Sequence, residues 1–237
     1  RAYDFDGDLP KFLDRLGGDV QKVVSGGIAG QNSAPRSAKV LVPEAVATIE
    51  SIYQGNSTSY GLPTGLIDFD KMTRGLHPGE MTIIAARPST GKSSLAMNIA
   101  EHVTVELKQS VVVFSLEMTA ESLMLRMICS RARVNIRNVT DGFLKDTDFP
   151  KITAAASKLV TAPLYIDDSR GLSVLQLKAK ARQLRQQHGI KLIIVDYLQL
   201  LHSTSHRAKN REQEIADISS GLHDLAGELE IPAVVLC

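Results

Sequence analysis

The sequence predicts an α/β fold built on a doubly wound, mostly parallel sheet. Short apolar runs rich in β-branched residues alternate with stretches of helical periodicity, the pattern of strands that helices cover on both faces. The predicted strands are residues 81–86, 111–115, 164–166, 192–196 and 233–236. A loop between the first strand and the following helix carries the second signal, because its residues are those of a phosphate-binding loop.

That loop runs from Ala86 to Ser93, with the sequence ARPSTGKS. Its backbone N–H groups and the helix N-terminus would surround a phosphate, while Lys92 reaches the β and γ oxygens and the Ser93 hydroxyl ligates Mg²⁺. Ala86 stands where glycine is usual and must therefore avoid a positive φ. The predicted ATP-binding residues are Ala86, Arg87, Pro88, Ser89, Thr90, Gly91, Lys92, Ser93 and Ser94. The alternative is a chance Gly-Lys-Ser at a helix start.

Two carboxylates follow other predicted strands. Asp196 ends an apolar strand and is predicted to hold Mg²⁺ at the carboxyl edge of the sheet, in the manner of a Walker-B aspartate. Since no Glu follows Asp196, Glu117 after the strand at 111–115 is the predicted base that activates water. The alternatives are an aspartate that caps a turn and a solvated glutamate at a helix start.

Composition limits the class of protein. With 237 residues and 43% hydrophobic content, the chain can bury a full core. Its net charge of +1 means that any nucleic-acid binding must come from a local basic patch. Cys129 and Cys237 form no Cys-x-x-Cys pair, and no secretory segment or membrane-length apolar run is present, so we expect a cytoplasmic protein with no membrane association.

Three regions are expected along the chain. Residues 1–35 contain Asp-rich turns, a short helical pattern and a Gly-rich linker. Residues 36–60 contain an amphipathic helix from Pro43 to Tyr53, with Pro43 in its first turn. Residues 61–237 form the α/β domain, in which a capping box at Ser173 begins a helix that Gly189 ends. We expect both ends of the chain to be cut, with the last strand needing a continuation.

Five segments together resemble the DnaB-type replicative DNA helicase family. They are GLPTGL (61–66), GLHPG (75–79), AARPSTGKS (85–93), FSLEM (114–118) and DYLQL (196–200), and their order and spacing also match. The resemblance implies a RecA-like ATPase domain in a homo-hexamer that binds ATP between subunits. Residues 1–35 would be the tail of a helical N-terminal collar domain, and the helix ending at Tyr53 would be the linker helix that packs on a neighbouring subunit.

The resemblance also implies roles and partners. Lys92 and Ser93 would contact the phosphates and Mg²⁺, Glu117 would activate water, Asp196 would hold the metal, and Gln199 would sense the γ-phosphate. The partners would be single-stranded DNA, a primase and a helicase loader. An arginine supplied in trans and the main DNA-contacting loop would lie beyond Cys237, so residues 1–237 alone are expected to be nearly inactive.

The loop at 202–211 is a candidate DNA contact. Arg207, Lys209 and Arg211 carry positive charge beside the strand that ends at Asp196 and are suited to phosphate contacts, although a solvated loop explains them equally well. Lys178, Arg182 and Arg185 share one helix and are interpreted as a solvated face without a role in DNA binding.

Two functional alternatives remain open at this point. A RecA- or RadA-like recombinase would use the same ATP site but would lack a linker helix with an upstream collar. A non-catalytic ATP-binding module would have no need of a base at Glu117. Cys237 itself is interpreted either as a replacement for the Ser that the family has at this strand end or as the first residue of an intein.

Overall fold

The computed structural model describes residues 37–53, 61–87, 89–198, 201 and 211–237. The chain divides into two units, Arg1–Ser59 and Tyr60–Cys237. In the first unit the described helix is α1, Ala38–Tyr53. The second unit contains the helices α2 (Ile67–Thr73), α3 (Lys92–Glu101), α4 (Ala120–Ala132), α5 (Ile136–Thr140), α6 (Asp148–Val160), α7 (Val174–His188) and α8 (Arg211–Leu229). Among the described residues no helix is long and apolar enough to cross a membrane.

The sheet of the second unit has five strands, all paired in parallel. They are β1 (Met81–Ile84), β2 (Val111–Ser115), β3 (Leu164–Asp167), β4 (Leu192–Asp196) and β5 (Ala233–Leu236). Their order across the sheet is β1-β5-β4-β2-β3, so neighbouring strands are mostly not consecutive in the chain. Because every strand is parallel, the carboxyl ends of all five meet at one edge of the sheet. The predicted fold class is confirmed.

Side chains from each central strand enter two separate cores. Val112 and Phe114 of β2 pack in one core with residues of α7 and α8, while Val111 and Val113 pack in the other with residues of α3 and α4. All four side chains are fully buried. This alternation explains why β2 and β4 are apolar almost throughout: a strand covered by helices on both faces has no position that faces water.

The helix predicted from the capping box forms as expected. The Ser173 hydroxyl accepts a hydrogen bond from the Gln176 backbone N–H at 3.3 Å, and the Gln176 side chain accepts one from the Ser173 N–H at 3.0 Å. Gly189 ends α7 with a φ of 60°, in the left-handed region that glycine tolerates best.

The prediction that Pro43 lies in the first turn of its helix is wrong. Helix α1 begins at Ala38, and the Ser37 carbonyl accepts hydrogen bonds from the N–H groups of Val40 and Leu41. Pro43 therefore lies inside α1, where its missing N–H deprives the Lys39 carbonyl of its usual donor. The helix starts earlier because Ser37 supplies an N-terminal anchor that the apolar spacing does not reveal. Residues 1–36, including the predicted collar remnant, lie outside the described residues.

The basic residues of α7 have structural partners and are not simply solvated. Arg182 donates two hydrogen bonds to the Glu228 carboxylate, at 2.6 and 2.7 Å, and so ties α7 to α8. Arg185 donates to the Ile190 carbonyl at 2.7 Å. These contacts explain two of the three basic residues without nucleic acid.

Replacing Ser173 by Ala should lower the free energy of unfolding by about 1 kcal/mol, because the Gln176 N–H loses its acceptor and the capping box is broken. Urea denaturation would measure this. Ser157→Ala is the matched control, since Ser157 is exposed on α6 and its hydroxyl bonds only the Thr153 carbonyl. That control should change stability by less than about 0.5 kcal/mol. Equal losses in both variants would contradict a specific role for the cap.

The Arg182–Glu228 pair should make stability depend on pH. Hydrogen bonding from Arg182 lowers the pKa of Glu228 below its ordinary value of 4.5. The pair therefore stabilises the folded state above that pH, and the contribution is lost as pH falls through the lowered folded value. The stability difference between the parent protein and Glu228→Gln should be larger at about pH 7 than at about pH 3.5. A difference independent of pH would contradict this assignment.

Candidate active site

The predicted phosphate-binding loop lies between the end of β1 at Ile84 and the start of α3 at Lys92. Gly91 is the N-cap of α3 and has a φ of 99°, and a Cβ added there would meet no atom within 4 Å. Because glycine has no side chain to cap the helix, the first N–H groups of α3 remain available to an anion. Ser89 also has a positive φ, of 64°, whereas Ala86 does not, as predicted.

The Lys92 side chain folds back over this loop. Its ammonium donates to the Ala86 carbonyl at 2.8 Å and also to the Cys237 carbonyl. Cys237 is held in turn, because its carbonyl accepts from the Ala86 N–H at 3.2 Å and its own N–H donates to the Ile84 carbonyl at 3.0 Å. An ammonium has three N–H donors, so these contacts orient Lys92 and leave it one donor for a phosphate oxygen.

The contact with Cys237 involves its backbone and not its thiol. Burial raises the pKa of the Cys237 thiol, and the positive charge of Lys92 only partly opposes this effect. The thiol therefore remains protonated at neutral pH. Any residue type could provide the carbonyl that Lys92 contacts, which is why residue identity carried no signal for this part of the site.

Asp196 lies at the end of β4 and is 4% exposed. Within the described ranges its carboxylate accepts no hydrogen bond and forms no ion pair. A buried carboxylate without a partner is unfavourable, and a divalent cation would compensate it. The half-buried Ser93 hydroxyl, in the first turn of α3, is the second oxygen suited to that cation. These two residues therefore fit the predicted Mg²⁺ site.

Glu117 lies two residues beyond β2, and its side chain is exposed. Strand β2 pairs with β4 in a register that sets Ser115 opposite Asp196. The Leu116 N–H then donates to the Asp196 carbonyl at 2.6 Å, so the backbones that carry the two acidic residues are in direct contact. The fold thus brings Glu117 and Asp196, 79 residues apart, to neighbouring points on the carboxyl edge.

Some predicted site residues are not brought into this arrangement by the described structure. Arg211 begins α8 and forms an ion pair with Glu214 on the same helix. Pro88, Gln199, Arg207 and Lys209 lie outside the described residues.

The larger of two clefts lies away from these residues. Its volume is about 570 Å³, and its lining comes mainly from the end of α3, the end of α4 and one side of α6. Arg131 in this cleft is already paired with Glu101 and Glu106, at 2.6 and 3.1 Å. Ser93 and Ser94 instead line a groove of about 100 Å³ between α3 and α4. We assign the site by the convergence of Lys92, Asp196 and Glu117 at one sheet edge and not by cleft size.

Comparison with known proteins gives consistent relatives. The replicative DNA helicase DnaC of Bacillus subtilis is 38% identical over 204 residues, which cover 86% of this chain and 45% of that protein. The replicative DNA helicase DnaB of Leifsonia xyli subsp. xyli is 34% identical over 235 residues, 99% of this chain and 50% of that protein. The chain thus spans about half the length of these relatives.

Solved structures agree with these relatives. One solved ATPase domain superimposes with a TM-score of 0.74 at 29% identity, covering 82% of this chain and 70% of that one. A DnaB-like replicative helicase, described with its interactions with primase, gives a TM-score of 0.74 at 27% identity over 92% of this chain and 52% of that one. The family model of the DnaB-like helicase C-terminal domain matches residues 61–237. The chain therefore belongs to the DnaB-like helicase C-terminal domain family.

Proposed function

We propose that this chain contains the ATPase domain of a replicative DNA helicase, which couples ATP hydrolysis to translocation on single-stranded DNA and to separation of the duplex ahead. One observation carries the proposal: Lys92, Asp196 and Glu117 follow or end β1, β4 and β2 at one edge of the sheet. ATP hydrolysis needs a cation for the phosphates, a metal site and a base, and these residues supply all three.

The uncapped N-terminus of α3 and the Lys92 ammonium would bind the phosphates of ATP. Ser93 and Asp196 would hold Mg²⁺, the latter through water. When bound, Mg²⁺ neutralises charge on the phosphate oxygens. The remaining loop residues from Ala86 to Ser94 would shape the pocket, and the Thr90 hydroxyl already braces it by donating to the Arg87 carbonyl at 2.7 Å.

Glu117 would accept a proton from the attacking water. Within the part of the chain that the structure describes, its carboxylate has no hydrogen-bond or ion-pair partner, so it is free to bond water. Gln199, which directly follows the last described residue of its segment, would sense the γ-phosphate. An arginine from a neighbouring subunit would complete the site and would add roughly a thousandfold or more in rate.

The active form would be a homo-hexamer. Helix α1 would act as the linker helix, because Val46, Ile49 and Tyr53 along it are exposed and apolar. Arg207, Lys209 and Arg211 would contact the DNA backbone in the central channel. A primase and a helicase loader would be its protein partners, and the DnaB-like replicative helicase compared above is itself described with its interactions with primase. The cysteine content supports a cytoplasmic location.

The test of this function is unwinding of a forked DNA duplex by the full-length protein. We expect strand separation that requires ATP and Mg²⁺ and an ATPase rate that single-stranded DNA stimulates. A recombinase would instead exchange strands between homologous DNA molecules, and a non-catalytic module would bind ATP without turnover. Either of those results would refute the helicase assignment.

Lys92→Ala in the full-length protein should abolish ATP hydrolysis while leaving the protein folded, because the charge that stabilises the transferring phosphoryl group is removed, an effect of several kcal/mol. A steady-state phosphate-release assay would measure it. Lys191→Ala is the matched control, since Lys191 is exposed and directly precedes β4, at the opposite edge of the sheet. Near-normal turnover by folded Lys92→Ala protein would refute the assignment of the loop.

Glu117→Gln should retain ATP binding but lose turnover by about a hundredfold or more, because the amide cannot accept the proton from water. Binding would be followed with a fluorescent ATP analogue and turnover by phosphate release. Glu121→Gln provides the control, as Glu121 is an exposed glutamate in the first turn of α4. If Glu117→Gln lost affinity and rate equally, or lost neither, Glu117 would be a structural residue.

A further inference from the structure

The segment that carries Glu117 is short and anchored on both sides of that residue. Leu116 is buried in the core between the sheet and α7 and α8, at 7% exposure. Met118 packs against the opposite core, beside α3 and α4. Glu117 therefore projects from a backbone whose two neighbours are held on opposite faces of the sheet, and its position depends on how firmly this turn is fixed.

A buried hydroxyl closes the turn. Ser115, at 1% exposure, donates to the Met118 carbonyl at 2.6 Å and accepts from the Met118 N–H at 3.3 Å. One side-chain oxygen thus satisfies both backbone groups of the residue that follows Glu117. Among side chains as small as this, only a hydroxyl can donate and accept strongly through one atom.

A second anchor comes from the neighbouring strand. Asp168, directly after β3, accepts a hydrogen bond from the Ala120 N–H at 2.9 Å. Ala120 is the first residue of α4, so this N–H has no partner within the helix. The N-cap residue, Thr119, uses its own hydroxyl to accept from Ser122 and leaves the Ala120 N–H to Asp168. The carboxylate also lies at the positive end of the helix dipole.

We propose that Ser115 and Asp168 are positioning residues that hold the Glu117 carboxylate in line for catalysis, an inference that rests on the proposed role of Glu117 as base. Ser115 fixes the turn after Glu117, and Asp168 fixes the start of α4 against β3. Loss of either contact lets the Glu117 backbone move, and displacement of a base by about 1 Å can lower a rate by about a hundredfold.

The first test compares Asp168→Ala with Asp168→Asn in the full-length protein. Asp168 is exposed, so neither change disturbs a core. Asp168→Ala should lower kcat roughly 3- to 10-fold, with KM for ATP changed less than about 2-fold, because only the chemical step is affected. Asparagine keeps an oxygen acceptor for the Ala120 N–H and should restore most of the rate. Equal kcat for Asp168→Ala and the parent protein, or no rescue by asparagine, would overturn the role of Asp168.

Asn135→Ala is the matched control. The Asn135 side chain also accepts a backbone N–H at a helix start, that of Arg137 in α5, but no residue of the candidate site lies in that helix. We expect its kcat to match that of the parent protein. An equal loss in Asn135→Ala and Asp168→Ala would mean that weakening any helix start slows the enzyme, and would overturn the specific role.

Ser115→Ala should lower kcat roughly 10- to 100-fold with little change in KM for ATP. In a Glu117→Gln background the same change should lower the residual single-turnover rate no further, because it acts through Glu117. A further loss in that background would overturn the inference by showing that Ser115 acts independently of the base. If Glu117→Gln itself kept normal turnover, the proposed function of Glu117 would fail. If it lost turnover but Ser115→Ala and Asp168→Ala did not, only the positioning role would fail.

Discussion

The parallel pairing of β1, β5, β4 and β2 is the constraint on which the rest of this structure depends. Parallel strands end at the same edge, so residues far apart in the chain converge without any direct side-chain attraction between them. Lys92, Asp196 and Glu117 form no hydrogen bond or ion pair with one another in the described structure. Their common location follows from strand order and register alone, and a register shift of one residue in β4 would turn Asp196 toward the opposite face of the sheet.

Backbone contacts then refine what the sheet provides. The Cys237 carbonyl receives both the Lys92 ammonium and the Ala86 N–H, which couples the phosphate-binding loop to the end of β5. The Asp196 carbonyl receives the Leu116 N–H, which couples the Glu117 turn to the end of β4. Movement of either strand end would therefore shift a site residue. This provides a physical route by which changes at a subunit boundary would reach the ATP site.

Much of the fold could be predicted because its signals are local. The apolar runs placed four strands to within a residue and β1 to within two, and the Ser173 capping box placed the start of α7. The phosphate-binding loop was recognisable because each of its roles requires a particular residue type. Chemistry at the ends of predicted strands identified Asp196 and Glu117, and their meeting needed only the expectation of parallel pairing.

The contacts that could not be predicted join residues distant in sequence or depend on backbone shape. Asp168 and Ala120 are 48 residues apart, and Lys92 and Cys237 are 145 apart, so both contacts require the actual strand order. The left-handed Ser89 and the position of Pro43 inside α1 are backbone features that residue preference opposes. Local propensity favoured other conformations there, and the surrounding chain outweighed it.

The central claim is that one sheet edge forms the ATPase site, and a structure of the full-length protein with Mg²⁺, ADP and aluminium fluoride tests it most directly. The account predicts that the Lys92 ammonium contacts the phosphate mimic, that the metal lies between the Ser93 hydroxyl and the Asp196 side, and that a water bonded to Glu117 faces the aluminium. Nucleotide bound elsewhere, or bound with Asp196 and Glu117 directed away from it, would contradict the account.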